Sequence, residues 1–173
     1  MKKIGIFCVG TGGHVLPAKN LITQLNDEGI DLDKFIIITD ERGSQYLKNL
    51  DIKFTWIVNS EDGLDEISPY AKTNIVQLKD GVISEIIIDP KKLNINAKKF
   101  ENLIGNDAKF NASKMIEIFK GKDNDFSKAV CLNAAAGLIV GEKCSEFSKA
   151  YSQTREHILS GKTFQHLEKI QNV

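Results

Sequence analysis

Short apolar runs alternate with helical periodicity along the first third of the chain. Runs rich in β-branched residues predict three short strands, over residues 3–9, 35–39 and 54–58. Between the first two runs, apolar positions recur at helical spacing over residues 14–25. Pro17 is expected in the first turn of that helix and Gly29 at its end, and a shorter helix is predicted over residues 44–50. Alternating strands and helices predict a parallel βαβαβ unit.

The pattern changes after the third predicted strand. A polar, acidic stretch over residues 59–68 predicts a loop, and Lys79-Asp80-Gly81 predicts the turn of an antiparallel hairpin that Pro90 ends. The two strands of this hairpin are predicted over residues 74–78 and 82–88. Helices are then predicted over residues 108–120, 128–143, 145–160 and from 162 onward. The predicted fold class is α/β: a Rossmann-like parallel βαβαβ half, then a β-hairpin and a helical carboxy-terminal tail.

Composition excludes several classes of protein. The 173 residues carry 23 basic and 23 acidic side chains, so no bulk charge attracts nucleic acid or an anionic membrane. The longest apolar stretch, residues 129–140, is shorter than the roughly 20 residues of a membrane-spanning helix, so no membrane span is expected. Three cysteines without a CxxC motif indicate neither a disulfide framework nor a zinc site, and they favour a cytoplasmic location.

A glycine-rich segment, residues 10–14, lies between the first predicted strand and helix. Glycines allow a tight turn, and the N–H groups at a helix start favour an anion such as phosphate. The segment matches neither the full GxGxxG fingerprint nor a Walker loop, and a purely structural turn is the alternative. The candidate phosphate-binding residues are Gly10, Thr11, Gly12 and Gly13. His14 is a candidate catalytic or acceptor-contacting residue; otherwise it caps the helix or faces solvent.

Residues 10–18 (GTGGHVLPA) and 40–47 (DERGSQYL) resemble the amino-terminal part of the peptidoglycan N-acetylglucosaminyltransferase that converts lipid I to lipid II. The resemblance extends to about Phe54. It implies a Rossmann-like acceptor domain in which the glycine loop and His14 lie near the acceptor diphosphate. Val9 stands where that family usually has another glycine, and the family's carboxy-terminal donor domain has no counterpart in this sequence.

Four acidic side chains follow the third predicted strand closely, at Glu61, Asp62, Asp65 and Glu66. Paired carboxylates at the carboxyl end of a strand are suited to Mg²⁺, which prefers a few carboxylate oxygens together with waters and substrate phosphates. A solvated acidic loop without a ligand is the alternative interpretation of the same residues.

Residues 59–68 (NSEDGLDEIS) closely resemble the DGLDE segment of anthranilate phosphoribosyltransferase, and the similarity runs from about Trp56 to Val173. It implies that Asp65 and Glu66 bind the Mg²⁺ that accompanies phosphoribosyl pyrophosphate. It also implies phosphoribosyl transfer to anthranilate, a step of tryptophan biosynthesis. That family's helical amino-terminal domain, lysine loop and anthranilate-binding arginine have no counterpart upstream, so an incomplete active site is expected.

The two resemblances divide the chain into a glycosyltransferase amino-terminal fragment, residues 1–58, and a phosphoribosyltransferase carboxy-terminal fragment, residues 59–173. A chimera of two genes, a natural fusion of remnants and a rearranged, working protein all remain open. In the working protein, the glycine loop and Asp65–Glu66 would share one sheet edge and bind Mg²⁺ with phosphoribosyl pyrophosphate or another diphosphate-bearing substrate. Two alternative hypotheses about function stay open. The chain is an acceptor-binding half of the N-acetylglucosaminyltransferase, or it is an inactive fragment that forms a homodimer through its helical tail.

Overall fold

The structure, a computed structural model, describes residues 4–8, 12–40, 43, 45–46, 54–98 and 100–171. The strands are β1 (Ile4–Phe7), β2 (Phe35–Asp40), β3 (Phe54–Ser60), β4 (Thr73–Lys79) and β5 (Val82–Ile88). The α-helices are α1 (Gly12–Asp27), α2 (Ala108–Phe119), α3 (Asp125–Val140), α4 (Phe147–Leu159) and α5 (Lys162–Gln171). Short 3-10 turns occupy Leu32–Lys34, Pro90–Leu93 and Phe100–Leu103. None of the described helices has the length and apolar character needed to cross a membrane.

The strands form one mixed sheet in the order β1-β2-β3-β4-β5. The first three strands run parallel, with Ile6 beside Ile37 and Ile38 beside Trp56. The last two strands join antiparallel, so that Val58 lies beside Ile75. The predicted α/β class is confirmed, with a parallel half, a hairpin and a helical tail. Of the predicted helix over residues 44–50, the described residues Gln45 and Tyr46 have helical backbone, and the others lie outside the described parts of the chain.

The hairpin between β4 and β5 follows from its two turn residues. Asp80 and Gly81 both have positive φ angles, 49° and 79°. Two successive residues of this kind form the turn whose twist matches that of the flanking strands. Lys79 therefore lies directly beside Val82, and the predicted hairpin is confirmed.

Helices cover the two faces of the sheet at different places. Ile37 belongs to a cluster with Val15 and Ile22 of α1, whereas its neighbour Ile38 belongs to a larger cluster with Leu132 of α3. Successive strand residues point to opposite faces, so α1 covers one face of β2 and α3 covers the other. The larger cluster also takes in α4 residues and the buried side chains of β3.

Trp56 joins β3 to the helical layer. Its side chain is 2% exposed, and its indole N–H donates to Gln77 Oε1 on β4 at 2.9 Å. Its ring stacks on that of Phe147 at the start of α4, with centroids 6.2 Å apart. The single tryptophan of the chain is therefore a core residue on the α4 side of the sheet.

Two helix starts differ from the sequence expectation. The expectation that Pro17 lies in the first turn of α1 is wrong, because the helix begins at Gly12 and Pro17 lies in its interior, where it removes one helical hydrogen bond. Helix α3 begins at Asp125, not near residue 128. Its start is fixed by a reciprocal cap: Asn124 Oδ1 accepts from the Ser127 N–H, and Ser127 Oγ accepts from the Asn124 N–H.

Glu142, just after α3, is a position where glycine should be the better residue. Its φ is 53°, in the left-handed region, which costs a residue with a side chain roughly 1–2 kcal/mol. Its exposed pair with Lys79, at 3.7 Å, offsets at most about 1 kcal/mol. We expect Glu142→Gly to raise the free energy of unfolding by about 0.5–1 kcal/mol in urea titrations. A lower free energy of unfolding in Glu142→Gly would mean that the Glu142 carboxylate contributes more stability than the left-handed backbone costs.

Candidate functional site

The two candidate loops leave the same edge of the sheet. Because β1, β2 and β3 are parallel, the carboxyl end of β1 at Phe7 and that of β3 at Ser60 lie on one side. β2 lies between them, and Ser60 lies four residues beyond Trp56, the residue of β3 that is in register with Phe7, so these strand ends are about 16 Å apart. Gly10 and Thr11 lie outside the described residues. Gly12 and Gly13 open α1 and His14 follows them, but the side chain of His14 is outside what the structure describes.

Residues 61–72, named here the acidic loop, connect β3 to β4 and are closed by hydrogen bonds. At its base, the Glu61 N–H donates to the Lys72 carbonyl at 2.9 Å. Inside it, Asp62 Oδ2 accepts from Ser68 Oγ at 2.5 Å, and Asp62 Oδ1 accepts from the Leu64 N–H at 3.3 Å. Asp62 is therefore a structural carboxylate that shapes the loop, a role that the sequence analysis did not identify.

Asn133 attaches the acidic loop to helix α3 by hydrogen bonds. Asn133 Oδ1 accepts from the Ile67 N–H at 2.9 Å, and Asn133 Nδ2 donates to the Ile67 carbonyl at 3.2 Å. The Ile67 side chain is completely buried in the larger core cluster. The backbone directly after Glu66 is thus fixed both by polar and by apolar contacts. Sequence reasoning missed Asn133, since nothing in the local pattern joins residues that are 66 positions apart.

A second attachment links the carboxyl-terminal part of the acidic loop to the start of α3. The Tyr70 hydroxyl donates to Asp125 Oδ2 at 3.2 Å. The same oxygen accepts from Asn102 Nδ2 at 2.8 Å and from the Lys98 N–H at 3.0 Å, and Lys128 Nζ lies 2.9 Å from Asp125 Oδ1. Burial opposes ionisation of Asp125, but these donors outweigh it and hold its pKa well below the usual range. Burial and the Asp125 charge raise the pKa of Tyr70.

Asp65 and Glu66 lie just before both attachments, between the Asp62–Leu64 hydrogen bond and Ile67. Partial desolvation, and after it the neighbouring charge of Asp65, raise the pKa of Glu66, although its side chain as a whole remains exposed. In the described parts of the chain, no three His, Cys, Asp or Glu side chains come together as a ligand set. Two adjacent carboxylates fit Mg²⁺, which uses one or two of them and completes its octahedron with waters and substrate phosphates.

The raised pKa of Glu66 predicts a pH-dependent stability change. The folded chain holds a proton on Glu66 at higher pH than the unfolded chain does, so ionised Glu66 destabilises the fold above that pKa. We expect Glu66→Gln to have a higher melting temperature than the unaltered chain at pH 7 without divalent cations. The advantage should disappear as the pH falls towards 4.5. Glu61→Gln, an exposed change in the same loop, is the control for the removal of one negative charge.

Comparisons with known proteins place the chain in a family. The model of the glycosyl transferase family, a/b domain, matches residues 40–164, and the chain belongs to this family. Its similar relatives include the anthranilate phosphoribosyltransferase of Pelagibacter ubique (strain HTCC1062), which is 76% identical over 127 residues, 73% of this chain and 38% of the relative. The anthranilate phosphoribosyltransferase of Azospirillum brasilense is 37% identical over 129 residues, 73% of this chain and 36% of the relative.

Solved structures show the same fold. Anthranilate phosphoribosyltransferase from Thermus thermophilus superposes with a TM-score of 0.66 at 20% identity, over 91% of this chain and 53% of that one. The Saccharomyces cerevisiae enzyme, solved in complex with PRPP and Mg, gives a TM-score of 0.66 at 20% identity, over 91% and 49%. The chain thus spans under two fifths of its sequence relatives and about half of these solved chains.

The family match begins further upstream than the resemblance seen in the sequence. It starts at residue 40, whereas the resemblance to anthranilate phosphoribosyltransferase started at about Trp56. The structural superpositions reach still further, since they cover 91% of the chain. These comparisons give no support to an N-acetylglucosaminyltransferase part within residues 1–54.

Proposed function

We propose that this chain binds Mg²⁺ and phosphoribosyl pyrophosphate as the carboxy-terminal part of an anthranilate phosphoribosyltransferase. The observation that carries the proposal is the acidic loop, in which Asp65 and Glu66 lie beside the doubly anchored residue Ile67. The 76% identity to the Pelagibacter ubique enzyme supports the same function, and the yeast enzyme has been solved with PRPP and Mg. Anthranilate is the proposed acceptor, in a cytoplasmic step of tryptophan biosynthesis.

Each proposed site residue has one task in this function. Asp65 and Glu66 would hold Mg²⁺ by their carboxylate oxygens, and the ion would supply positive charge beside the leaving pyrophosphate. Gly10, Thr11, Gly12 and Gly13 offer N–H groups to phosphate oxygens at the start of α1. His14 contacts the acceptor side of the same edge. Transfer breaks the bond between the ribose C1 carbon and the pyrophosphate oxygen and forms one between C1 and the acceptor nitrogen, which gives up a proton to water as pyrophosphate leaves. The charge that develops is stabilised electrostatically, without a covalent enzyme intermediate.

Titration calorimetry tests the proposal. The unaltered chain should release or absorb heat when phosphoribosyl pyrophosphate is added with Mg²⁺, and Asp65→Asn/Glu66→Gln should abolish this heat. Glu61→Gln removes a charge from the same loop and should bind like the unaltered chain. The ligand should also raise the melting temperature of the unaltered chain, because it binds only the folded state.

Two results would contradict the proposal. One is the absence of heat with the unaltered chain, and the other is equal heat from the unaltered chain and the double variant. If an oligomer that is indifferent to the ligand elutes from size-exclusion chromatography, the inactive fragment that forms a homodimer through its helical tail is the better description.

The origin of residues 1–58 as a separate glycosyltransferase fragment stays a prediction. It rests on the GTGGHVLPA and DERGSQYL motifs alone. Under this proposal, the chain retains an acceptor-binding half and should float with liposomes that contain a diphosphate-linked lipid. Sequencing codons 51–59 in independently obtained DNA tests the fusion itself. An interrupted reading frame would rule out a natural fused protein.

A further inference from the structure

Asn133 is the side chain that attaches the acidic loop to the helical layer. It lies within α3, and its amide uses both of its polar atoms: Oδ1 accepts from the Ile67 N–H at 2.9 Å, and Nδ2 donates to the Ile67 carbonyl at 3.2 Å and to the Ala129 carbonyl at 3.0 Å. The Asn133 amide therefore hydrogen-bonds both the N–H and the carbonyl of Ile67, as the backbone of a neighbouring β-strand would. Among the standard side chains, only glutamine also carries an amide with a donor and an acceptor side by side, and its side chain is one methylene longer.

The position of Asn133 along α3 explains why the loop comes so close. Leu132, Ala135 and Ala136 are buried, and the two alanines add little bulk between the helix and the sheet. The Ile67 side chain fills the core that these residues line. Without the amide of Asn133, the Ile67 N–H and carbonyl would lose these hydrogen-bond partners. This loss is costly because the Ile67 side chain is buried.

From this geometry we infer that Asn133 is a positioning residue for the metal-binding carboxylates, an inference that rests on the proposed function. Ile67 directly follows Glu66, so two hydrogen bonds to the Ile67 backbone fix the direction in which the chain leaves the carboxylate pair. Metal sites depend on such outer partners, whose loss typically lowers metal affinity about 10–100-fold. Asn133 carries no charge, and its amide bonds the backbone groups of Ile67 and Ala129; it acts through the backbone of the acidic loop.

A matched pair of variants separates positioning from general stability. Asn133→Ala removes both bonds to Ile67. Thr154→Val is the control: its hydroxyl lies within hydrogen-bond distance of the Cys131 carbonyl on α3, at 3.0 Å, and of the Tyr151 carbonyl in its own helix, at 2.9 Å, so the variant removes a polar contact of α3 that does not involve the acidic loop. Asn133→Ser is the second test variant, since a serine hydroxyl can bond the Ala129 carbonyl within the helix and keep the fold while it loses Ile67.

The measurements are the affinity for Mg²⁺ with phosphoribosyl pyrophosphate by calorimetry, the electron paramagnetic resonance spectrum of Mn²⁺ bound in its place, and the melting temperature. Asn133→Ala and Asn133→Ser should bind at least about tenfold more weakly and change the Mn²⁺ spectrum at saturation. Thr154→Val should lower the melting temperature and leave both binding readouts unchanged.

Each outcome has one meaning. Unchanged affinity and an unchanged Mn²⁺ spectrum in the folded Asn133 variants, with binding by the unaltered chain, would overturn this inference alone. A tenfold loss in Thr154→Val as well would also overturn it, because general loosening would then explain the effect. No binding by the unaltered chain would overturn the proposed function and this inference together.

Discussion

Replacing Asp125 by alanine is expected to lower the free energy of unfolding by about 3–5 kcal/mol, as breaking a buried ion pair from one side does. Asp125 is 6% exposed and accepts hydrogen bonds from Tyr70, the Lys98 N–H, Asn102 and Lys128. Removing the carboxylate leaves these donors without their shared acceptor. Urea titration followed by tryptophan fluorescence measures the loss.

Asp123 provides the matched control for this prediction. It lies two residues away and forms a two-bond pair with Arg155, at 3.0 and 2.7 Å, but the two side chains are 46% and 35% exposed. Exposed pairs contribute at most about 1 kcal/mol, so Asp123→Ala should have a small effect. Similar losses in the two variants would contradict the view that burial makes the difference.

The Asp125 effect should also depend on pH in a defined direction. Its pKa in the folded chain is below the ordinary value of 3.8, so the unfolded chain takes up the proton first on acidification. The stability that Asp125 supplies is therefore complete above pH 3.8 and is lost as the pH falls through the folded-state pKa. The difference between the unaltered chain and Asp125→Ala should shrink below that pH. A difference that persists in acid would assign the effect to packing instead of charge.

Replacing Gly121 by alanine is the second large effect that we expect, at about 3 kcal/mol of lost unfolding free energy. Gly121 follows α2 and has a φ of 95°. A Cβ atom at this position would lie 2.6 Å from the carbonyl oxygen of Leu159, a backbone atom at the end of α4 that cannot rotate away. The cost combines left-handed strain with a steric overlap that only a shift between α2 and α4 relieves.

Gly81→Ala isolates the steric part of that cost. Gly81 has a φ of 79°, but no atom lies within 4 Å of the position that its Cβ would take. Alanine there should cost only the roughly 1–2 kcal/mol of the left-handed conformation. Denaturant titrations of both variants test the prediction. If both lose the same stability, the close approach of α2 to α4 contributes nothing.

How well the fold could be predicted depended on how local its signals are. The β4–β5 hairpin was predictable because Asp80-Gly81 is a turn signal between two apolar runs. Helix α1 was predictable from its periodicity, but its first turn was not, since the glycines at Gly12 and Gly13 carry no apolar pattern. The start of α3 could have been found from Asn124 and Ser127, whose spacing is that of a reciprocal cap.

The candidate site likewise contains residues that the sequence could predict and residues that it could not. Asp65 and Glu66 were predictable because they are neighbours in sequence and follow a strand. Asn133 and Asp125 were not, since each acts on the acidic loop from more than 50 positions away, and only the packing of α3 against the sheet brings them there. A sequence pattern shows which side chains could bind a metal, but not which distant side chains keep them in place.

The location of Trp56 limits what intrinsic fluorescence can report. The chain has one tryptophan, and it stacks on Phe147 in the cluster that α3 and α4 share with β3. Emission will therefore follow only that half of the molecule, whereas far-ultraviolet circular dichroism also follows α1. Coincident thermal transitions by the two optical probes would show that both halves melt as one cooperative unit; an earlier dichroism change would show that α1 separates first.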